Sequence, residues 1–184
     1  MPVDYHHCIC GVRAVIREFH PEDIPELIEA LVSLSFESRM TRFLYDKKAL
    51  SPKELGWLKL PSDKNHILRV AVISDGNRDK QIVGFAGCAR VALKAAIADV
   101  SVVVADGWQR CGLGTQLTTE LRNAALRVGI THWRADFLAT NLGAAKLLGL
   151  AGFEEHREDL GCGIVRATVK LSSSVTSRVT PSVG

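Results

Sequence analysis

The sequence predicts an α+β fold with a mixed, mostly antiparallel central sheet flanked by helices. Apolar residues alternate in some short runs, as in strands, and recur every three or four positions in other segments, as on one face of a helix. With 184 residues, 47% of them hydrophobic and 23% charged, the chain has the size and balance of one globular domain. We expect this domain to span residues 12–171, after a flexible segment over residues 1–11 and before a disordered Ser/Thr-rich tail over residues 172–184.

The N-terminal half is predicted to contain one strand, three helices and a hairpin. Residues 12–17 alternate as a strand does, and the apolar positions within 24–31 have helical spacing. Residues 33–60 continue a broken helical pattern, in which Ser51 and the Pro and Glu that follow it have the features of a helix start. Two runs rich in Val, Ile and Phe within 68–91 flank a polar turn and predict a β-hairpin.

Residues 97–104 predict a further strand with two different faces. One face carries Asp99, Ser101 and Val103, and the other carries Val100, Val102 and Val104. The strand leads into a loop that contains two glycines.

The remaining pattern predicts two helices and two strands. Apolar residues within 113–128 recur at helical spacing and stop at a glycine. Residues 133–138 then predict a strand, 143–150 a helix, 152–153 a turn and 162–171 a last strand.

Composition argues against several classes of partner. The net charge of +3 is spread along the chain, so we do not expect nucleic acid as a partner. No leader and no membrane-spanning run is visible, which favours a cytoplasmic protein without membrane association. The five widely spaced cysteines predict reduced thiols, and the cluster at residues 6–10 lacks a second His or Cys pair, so we expect no metal. The sequence does not determine the oligomeric state, and a homodimer is one possibility.

The loop Gln109-Arg110-Cys111-Gly112-Leu113-Gly114 is the strongest functional signal. Backbone N–H groups beside Gly112 and Gly114 can converge on phosphate oxygens, and the following helix start adds a positive partial charge. The loop matches neither the P-loop nor the dinucleotide-binding fingerprint. Two glycines taken alone would favour a glycine-containing connection between a strand and a helix.

The loop resembles the signature of the GNAT superfamily, which has Gln or Arg, two residues, Gly, one residue, and Gly or Ala. Residues 141–153 resemble the second sequence block of that superfamily, and the order of elements agrees from about residue 13 to 171. The resemblance implies a GNAT fold and an acetyltransferase that moves an acetyl group from acetyl-CoA directly to an amine, with coenzyme A as product. It implies that the loop holds the cofactor pyrophosphate and that the strand backbone before it pairs with the pantetheine arm.

The resemblance assigns the following residues to cofactor binding: Val102, Val103, Val104, Gln109, Arg110, Cys111, Gly112, Leu113, Gly114, Thr115 and Asn141. Asn141 has an alternative interpretation as a helix cap. Cys111 could be reactive beside a helix start, although its place in a variable loop position is the simpler account.

Asp99 is the candidate general base, because it lies in the strand before the loop, where several GNAT enzymes have a catalytic Glu. Since Asp is shorter than Glu, we expect it to act through water, and a solvent-facing charge is the alternative. His132 is a second candidate base, for which a surface position is the simpler interpretation. The position where many family members have a proton-donating Tyr is Leu148 here. A catalytically silent acyl-CoA-binding regulatory module is therefore an alternative, and a scaffold protein is a third.

Within the superfamily, the chain is similar to bacterial protein lysine acetyltransferases regulated by cyclic AMP. The likeness rests on residues 98–100, on the second block without Tyr and on residues 157–161. A chain of this length has no room for a cyclic-nucleotide domain beside the catalytic domain, so we do not expect that regulation. The acceptor amine belongs either to a small molecule or to a protein lysine. Residues 35–43 resemble the helical region that borders the acceptor site, which implies that Glu37 attracts a cationic amine; a solvated helix face is the alternative.

Overall fold

The computed structural model describes residues 5–9, 12–73 and 81–172, and in them eight strands form a single sheet. The strands are β1 (Tyr5–Ile9), β2 (Val12–Glu18), β3 (His66–Ile73), β4 (Gln81–Arg90), β5 (Ile97–Val104), β6 (His132–Leu138), β7 (Gly152–Gly161) and β8 (Ile164–Leu171). Their order across the sheet is β1-β2-β3-β4-β5-β6-β8-β7, and only the β5–β6 pair is parallel. The predicted mixed, mostly antiparallel sheet is confirmed.

Five α-helices cover the two faces of the sheet. They are α1 (Ile24–Ser33), α2 (Phe36–Phe43), α3 (Pro52–Leu58), α4 (Leu113–Arg127) and α5 (Leu142–Ala151). Consecutive residues of β3 belong to different cores, since Ala71 packs with α4 whereas Val70 and Val72 pack with α1 and α3. Side chains alternate across a strand, so α4 and α5 lie on one face and α1 and α3 on the other.

Local sequence explains where α1, α2 and α3 begin. Ser51 accepts a hydrogen bond from the N–H of Glu54, and the Glu54 carboxylate accepts one from the N–H of Ser51, which forms the predicted capping box of α3. Ser35 caps α2 in the same way through the N–H of Ser38. Arg17 of β2 and Asp23 form a partly buried two-point ion pair that fixes the entry into α1.

Two strands were not predicted. The expectation of a flexible segment over residues 1–11 is wrong for Tyr5–Ile9, which pair with β2 from Tyr5–Ile16 to Ile9–Val12. The backbone groups along the free edge of β2 can pair with any preceding segment, whatever its hydrophobic pattern. The predicted turn at 152–153 is also wrong, because these residues begin β7. β7 is an edge strand that is exposed along its length, so it needs no apolar alternation.

The hairpin turn and the tail after Ser172 lie outside the described residues, as do the side chains of the His and Cys cluster at 6–10. Cys88 and Cys162 are free thiols, but Cys111 is disulfide-bonded, which corrects the expectation of a reduced thiol there. The described residues contain no group of His, Cys, Asp and Glu that could hold a metal ion. No helix in the same part of the chain is long and apolar enough to cross a membrane.

Candidate active site

A cleft opens where β5 and β6 separate. These strands pair only at Ile97–His132, Ala98–Trp133 and Asp99–Arg134. Beyond Asp99, β5 stays paired with β4 up to Val104, whereas its other edge faces the cleft. The cavity has a volume of about 960 Å³, and the predicted residues Val102, Val103 and Val104 line it opposite residues 135–138 of β6. Backbone N–H and C=O groups of β5 are thus available to a ligand in the cleft.

The glycine loop forms one end of this cleft. Arg110 (φ 61°) and Gly112 (φ 84°) both adopt the left-handed conformation, and Gly112 is the N-cap of α4. The first backbone hydrogen bond of the helix runs from the N–H of Gln116 to the carbonyl of Gly112. The N–H groups of Leu113, Gly114 and Thr115 therefore precede the helical ladder and point out of the helix start, an arrangement that suits a phosphate.

Not every predicted side chain of the loop reaches the cleft. Gln109, Arg110, Gly112, Gly114 and Thr115 line it. The remaining two do not: the side chain of Leu113 is fully buried in the α4 core, and that of Cys111 packs against the same core. These two positions can offer only backbone groups to a cofactor.

Gln109 ties the loop to the start of α2. Its side-chain amide donates to Ser38 Oγ (3.0 Å), to the Val104 carbonyl (3.2 Å) and to Asp106 Oδ1 (3.2 Å). Asp106 also accepts hydrogen bonds from the N–H of Ser35 (2.7 Å) and from the hydroxyl of Ser38. Burial alone would raise the pKa of Asp106, but the hydrogen bonds from Ser38 and Ser35 outweigh it and lower that pKa. We call Ser35, Ser38, Asp106 and Gln109 the Asp106 clamp.

Helix α5 closes the opposite wall of the cleft. Asn141 lines the cleft and caps α5, because its side-chain oxygen accepts from the N–H of Ala144 at 3.0 Å. The cap interpretation is thus confirmed, and the side-chain NH₂ is not used in the cap. Leu148, at the position of the family tyrosine, is buried and also lines the cleft.

A second cavity lies on the other side of β5, under α1, α2 and α3. It has a volume of about 310 Å³ and walls that are mainly apolar. Its polar lining residues are Arg42, Glu54, Asp99 and Ser101. Arg42 and Ser101 line the cleft as well, so the two cavities meet at this point of β5.

Comparison with known proteins agrees with this geometry. The model of the acetyltransferase (GNAT) domain matches residues 66–155, a segment that contains β4, β5, the glycine loop, α4 and α5. Just under half of the chain is thus similar to the acetyltransferase (GNAT) domain. This match and the acetyltransferases of the same fold support an acetyl-CoA-dependent N-acetyltransferase.

Solved structures show the same fold. The GNAT domain of S. lividans PAT has a TM-score of 0.77 and 21% identity, covering 91% of this chain and 97% of that one. The yncA protein of Salmonella typhimurium, whose structure contains its cofactor acetyl-CoA, has a TM-score of 0.63 and 17% identity, over 88% and 96%. No curated protein matches the sequence.

A larger protein shares the fold over part of its length. The cAMP-binding acyltransferase from Mycobacterium smegmatis has a TM-score of 0.63 and 19% identity, and the match covers 98% of this chain. The match covers 51% of the Mycobacterium smegmatis protein, so this chain spans about half of that protein's length.

Asp99 lines the second cavity, and its carboxylate is held by Arg134. Its carboxylate accepts from Arg134 Nε (2.6 Å) and from Arg134 Nη2 (3.0 Å), at the last paired position of β5 and β6. This hydrogen bond raises the pKa of Arg134. The side chain of Asp99 is 57% exposed, so water can reach its carboxylate.

The other predicted side chains lie elsewhere. Glu37 is exposed at the start of α2 and lines the cofactor-side cleft, not the apolar cavity. His132 lines neither cavity and contacts Glu155 at 3.1 Å. Arg42, which lines both cavities, was missed. The sequence around it is a short polar helix in which nothing distinguishes Arg42 from Arg39.

Proposed function

We propose that the acetyltransferase binds acetyl-CoA in the cleft and transfers the acetyl group directly to an amine that enters from the apolar cavity. The observation that carries this proposal is the meeting of the two cavities across β5 at Arg42 and Ser101. An amine in the apolar cavity can reach a thioester at that point while the cofactor stays in the cleft. Such positioning supplies much of the rate enhancement of a bimolecular transfer.

The cofactor would be held at three places along the cleft. Its pyrophosphate would accept hydrogen bonds from the N–H groups at the start of α4, with Arg110 as a nearby cation. The pantetheine arm would pair with the free backbone edge of residues 102–104, as the likeness to GNAT enzymes implies. The side-chain NH₂ of Asn141 would contact the arm from the α5 side.

The acceptor amine must lose a proton before or during attack on the thioester carbonyl. Asp99 is the candidate base on the acceptor face, and because Arg134 occupies its carboxylate, it would act through water. Cys88 also lines the apolar cavity, but burial raises the pKa of its thiol to about 12. A neutral thiol is a weak nucleophile, which favours direct transfer without an acyl-cysteine intermediate. With Leu148 in the cleft, the departing thiolate would take its proton from water.

An acyl-CoA-binding module without activity is the second candidate. Two observations favour it: Leu148 cannot donate a proton, and Asp99 is held by Arg134. This candidate shares the cofactor site and differs only in the chemistry.

The deciding experiment measures cofactor binding and acetyl transfer separately. The full chain is heated with and without acetyl-CoA, and release of free coenzyme A thiol is followed against amino acids, polyamines, aminoglycosides, lysine peptides and proteins. We expect a rise in Tm with acetyl-CoA and amine-dependent thiol release. A rise in Tm without thiol release for any acceptor would favour the binding module, and no rise in Tm would contradict the cofactor site.

A further inference from the structure

The apolar cavity has the size and shape of a small-molecule subsite. Its volume of about 310 Å³ is roughly twice that of an engineered cavity that binds benzene, so it can enclose an aromatic ring with its attached atoms. Its walls come from several elements. The aromatic side chains that line it are Phe43, Trp57 and Phe85, and most of the remaining large side chains are aliphatic.

The charge of Arg42 in this cavity is not matched by a protein carboxylate. Its Nη2 donates to Ser101 Oγ, its guanidinium lies 4.8 Å from the ring of Phe43, and its Nε is buried without a partner. Burial lowers the pKa of Arg42 to about 10, and the charge of Glu54 opposes that effect. Arginine with this pKa stays protonated at neutral pH, so the cavity contains a cation.

The nearby acids are already engaged. Lys47 occupies both oxygens of Glu54 at 2.7 Å, and Arg134 occupies both oxygens of Asp99. No carboxylate in the described part of the chain forms an ion pair with Arg42. A buried cation without a counterion is costly, and a ligand carboxylate would offset that cost.

The position of Arg42 determines where a carboxylate bound to it would lie relative to the cofactor cleft. Arg42 lines both cavities, so a carboxylate bound to it lies at the junction with the cofactor cleft. In an α-amino acid, the amine and the carboxylate share one carbon atom. When the carboxylate pairs with Arg42, the amine is therefore also at the junction, and the side chain can extend into the apolar cavity.

We propose that the acceptor is a free α-amino acid with a large apolar side chain, whose carboxylate pairs with Arg42. This inference rests on the proposed acetyl transfer and specifies its substrate class. A protein lysine fits less well, because its amine is far from any carboxylate and its aliphatic chain would bring no anion to Arg42.

The test compares amines that share one body. L-Phenylalanine, L-phenylalaninamide and phenylethylamine carry a carboxylate, a neutral amide and a hydrogen at the same position. Thiol release with acetyl-CoA gives kcat/KM for each, corrected for the unprotonated fraction of each amine. A hydrogen-bonded ion pair predicts a preference for phenylalanine of about ten- to a hundredfold. The mimic of a protein lysine is Nα-acetyl-L-lysine methyl ester, whose ε-amine is free. A higher kcat/KM for this compound than for phenylalanine would overturn the proposal.

Two variants separate the subsite from other roles of Arg42. In Arg42→Gln the preference for the carboxylate should fall to within about twofold, while Arg42→Lys should retain part of it. If Arg42→Gln lowers kcat/KM equally for phenylalanine and phenylethylamine, Arg42 acts on the thioester and the proposal is wrong. Ala30→Phe, which fills the cavity from α1, should shift preference from phenylalanine to alanine.

Binding provides a readout that does not depend on turnover. Calorimetric titration of the chain saturated with coenzyme A should show L-phenylalanine binding about tenfold or more tightly than phenylethylamine. Equal binding, or no binding of phenylalanine, would overturn the subsite even if acetyl-CoA binds. Failure of acetyl-CoA to raise Tm would instead count against the proposed function.

Discussion

Gly112 and Gly114 suit the glycine loop for different physical reasons. Gly112 has φ at 84°, so any side chain there would strain the backbone before a ligand is considered. Gly114 is not strained, and a Cβ built on it would meet only ordinary contacts with Leu147 and Val104 at 3.5 Å or more. Gly114 is thus the position at which the ligand site can be tested without disturbing the fold.

We predict that Gly114→Glu folds normally but binds coenzyme A at least about a hundredfold more weakly. The new carboxylate would enter the place proposed for the pyrophosphate, and like charges in such contact cost several kcal/mol. Titration calorimetry with coenzyme A measures the loss. Gly56→Glu is the matched control, since Gly56 is an exposed glycine of α3 with nothing within 4 Å of its Cβ position. Unchanged affinity in Gly114→Glu would contradict the loop assignment.

Asp99 permits a second test at a single residue. Asp99→Asn keeps the shape of the side chain but removes the proton-accepting charge, so we expect kcat to fall about a hundredfold with cofactor affinity nearly unchanged. Steady-state rates from pH 6 to 9 and a coenzyme A titration give the two values. Glu154→Gln is the control, because it breaks a comparable exposed ion pair, with Arg157, that lines neither cavity. A full rate at every pH would remove Asp99 as the base.

At the scale of elements, the Asp106 clamp connects the acceptor side to the cofactor side. The start of α2 carries Ser35 and Ser38, which donate to Asp106, and Gln109 of the cofactor loop donates to both Ser38 and Asp106. Helix α2 also carries Arg42. The clamp therefore sets the position of the acceptor subsite relative to the loop that would hold the cofactor.

Removing the clamp should affect both stability and the cofactor KM. In Asp106→Ala four donor groups of three residues lose a common acceptor. Because the site is exposed, we expect a loss of only about 1 kcal/mol, or a Tm lower by about 2–4 °C. The KM for acetyl-CoA should rise several-fold, because Gln109 loses one of its three acceptors and α2 loses its hydrogen bonds to Asp106, so the loop is held less firmly. Asp159→Ala provides the comparison, as Asp159 caps a turn through Gly161 on the far edge strand. An equal change of KM in both variants would argue against a specific clamp.

The elements around the cleft were predictable because their sequence signals are local. Alternation identifies β5, and the glycine loop followed by helical spacing identifies α4. β1 and β7 were missed because edge strands pair through the backbone and need no apolar pattern. Arg42 was missed for another reason: its importance comes from burial against Ser101, 59 residues away in the chain, which no local pattern records.

At the scale of the whole molecule, ion pairs and hydrogen bonds to carboxylates join elements on the acceptor side of the sheet. Arg17–Asp23 links β2 to the start of α1. Arg39–Asp46 joins α2 to the segment after it, and Lys47–Glu54 joins that segment to α3. The pKa values of these three carboxylates are lowered by their partners. For Asp23, burial acts in the opposite direction, but the hydrogen bonds from Arg17 and from the His20 N–H outweigh it.

The stability of the folded chain should therefore fall in acid. A carboxylate whose pKa is lower in the folded state stabilises the fold above its unfolded pKa, near 3.8 for Asp23, and loses that contribution as the pH falls through its folded pKa. We expect the free energy of unfolding in urea to change little between pH 7 and 5 and to drop below about pH 4. Asp23→Asn should lower it by about 2 kcal/mol at pH 7 and by less at pH 3, because pH 3 is below the unfolded pKa of Asp23 and the contribution of its charge is decreasing there. Asp46→Asn, at a more exposed pair, should show a smaller difference between the two pH values. If Asp23→Asn loses the same stability at pH 3 as at pH 7, its effect comes from packing and not from its charge.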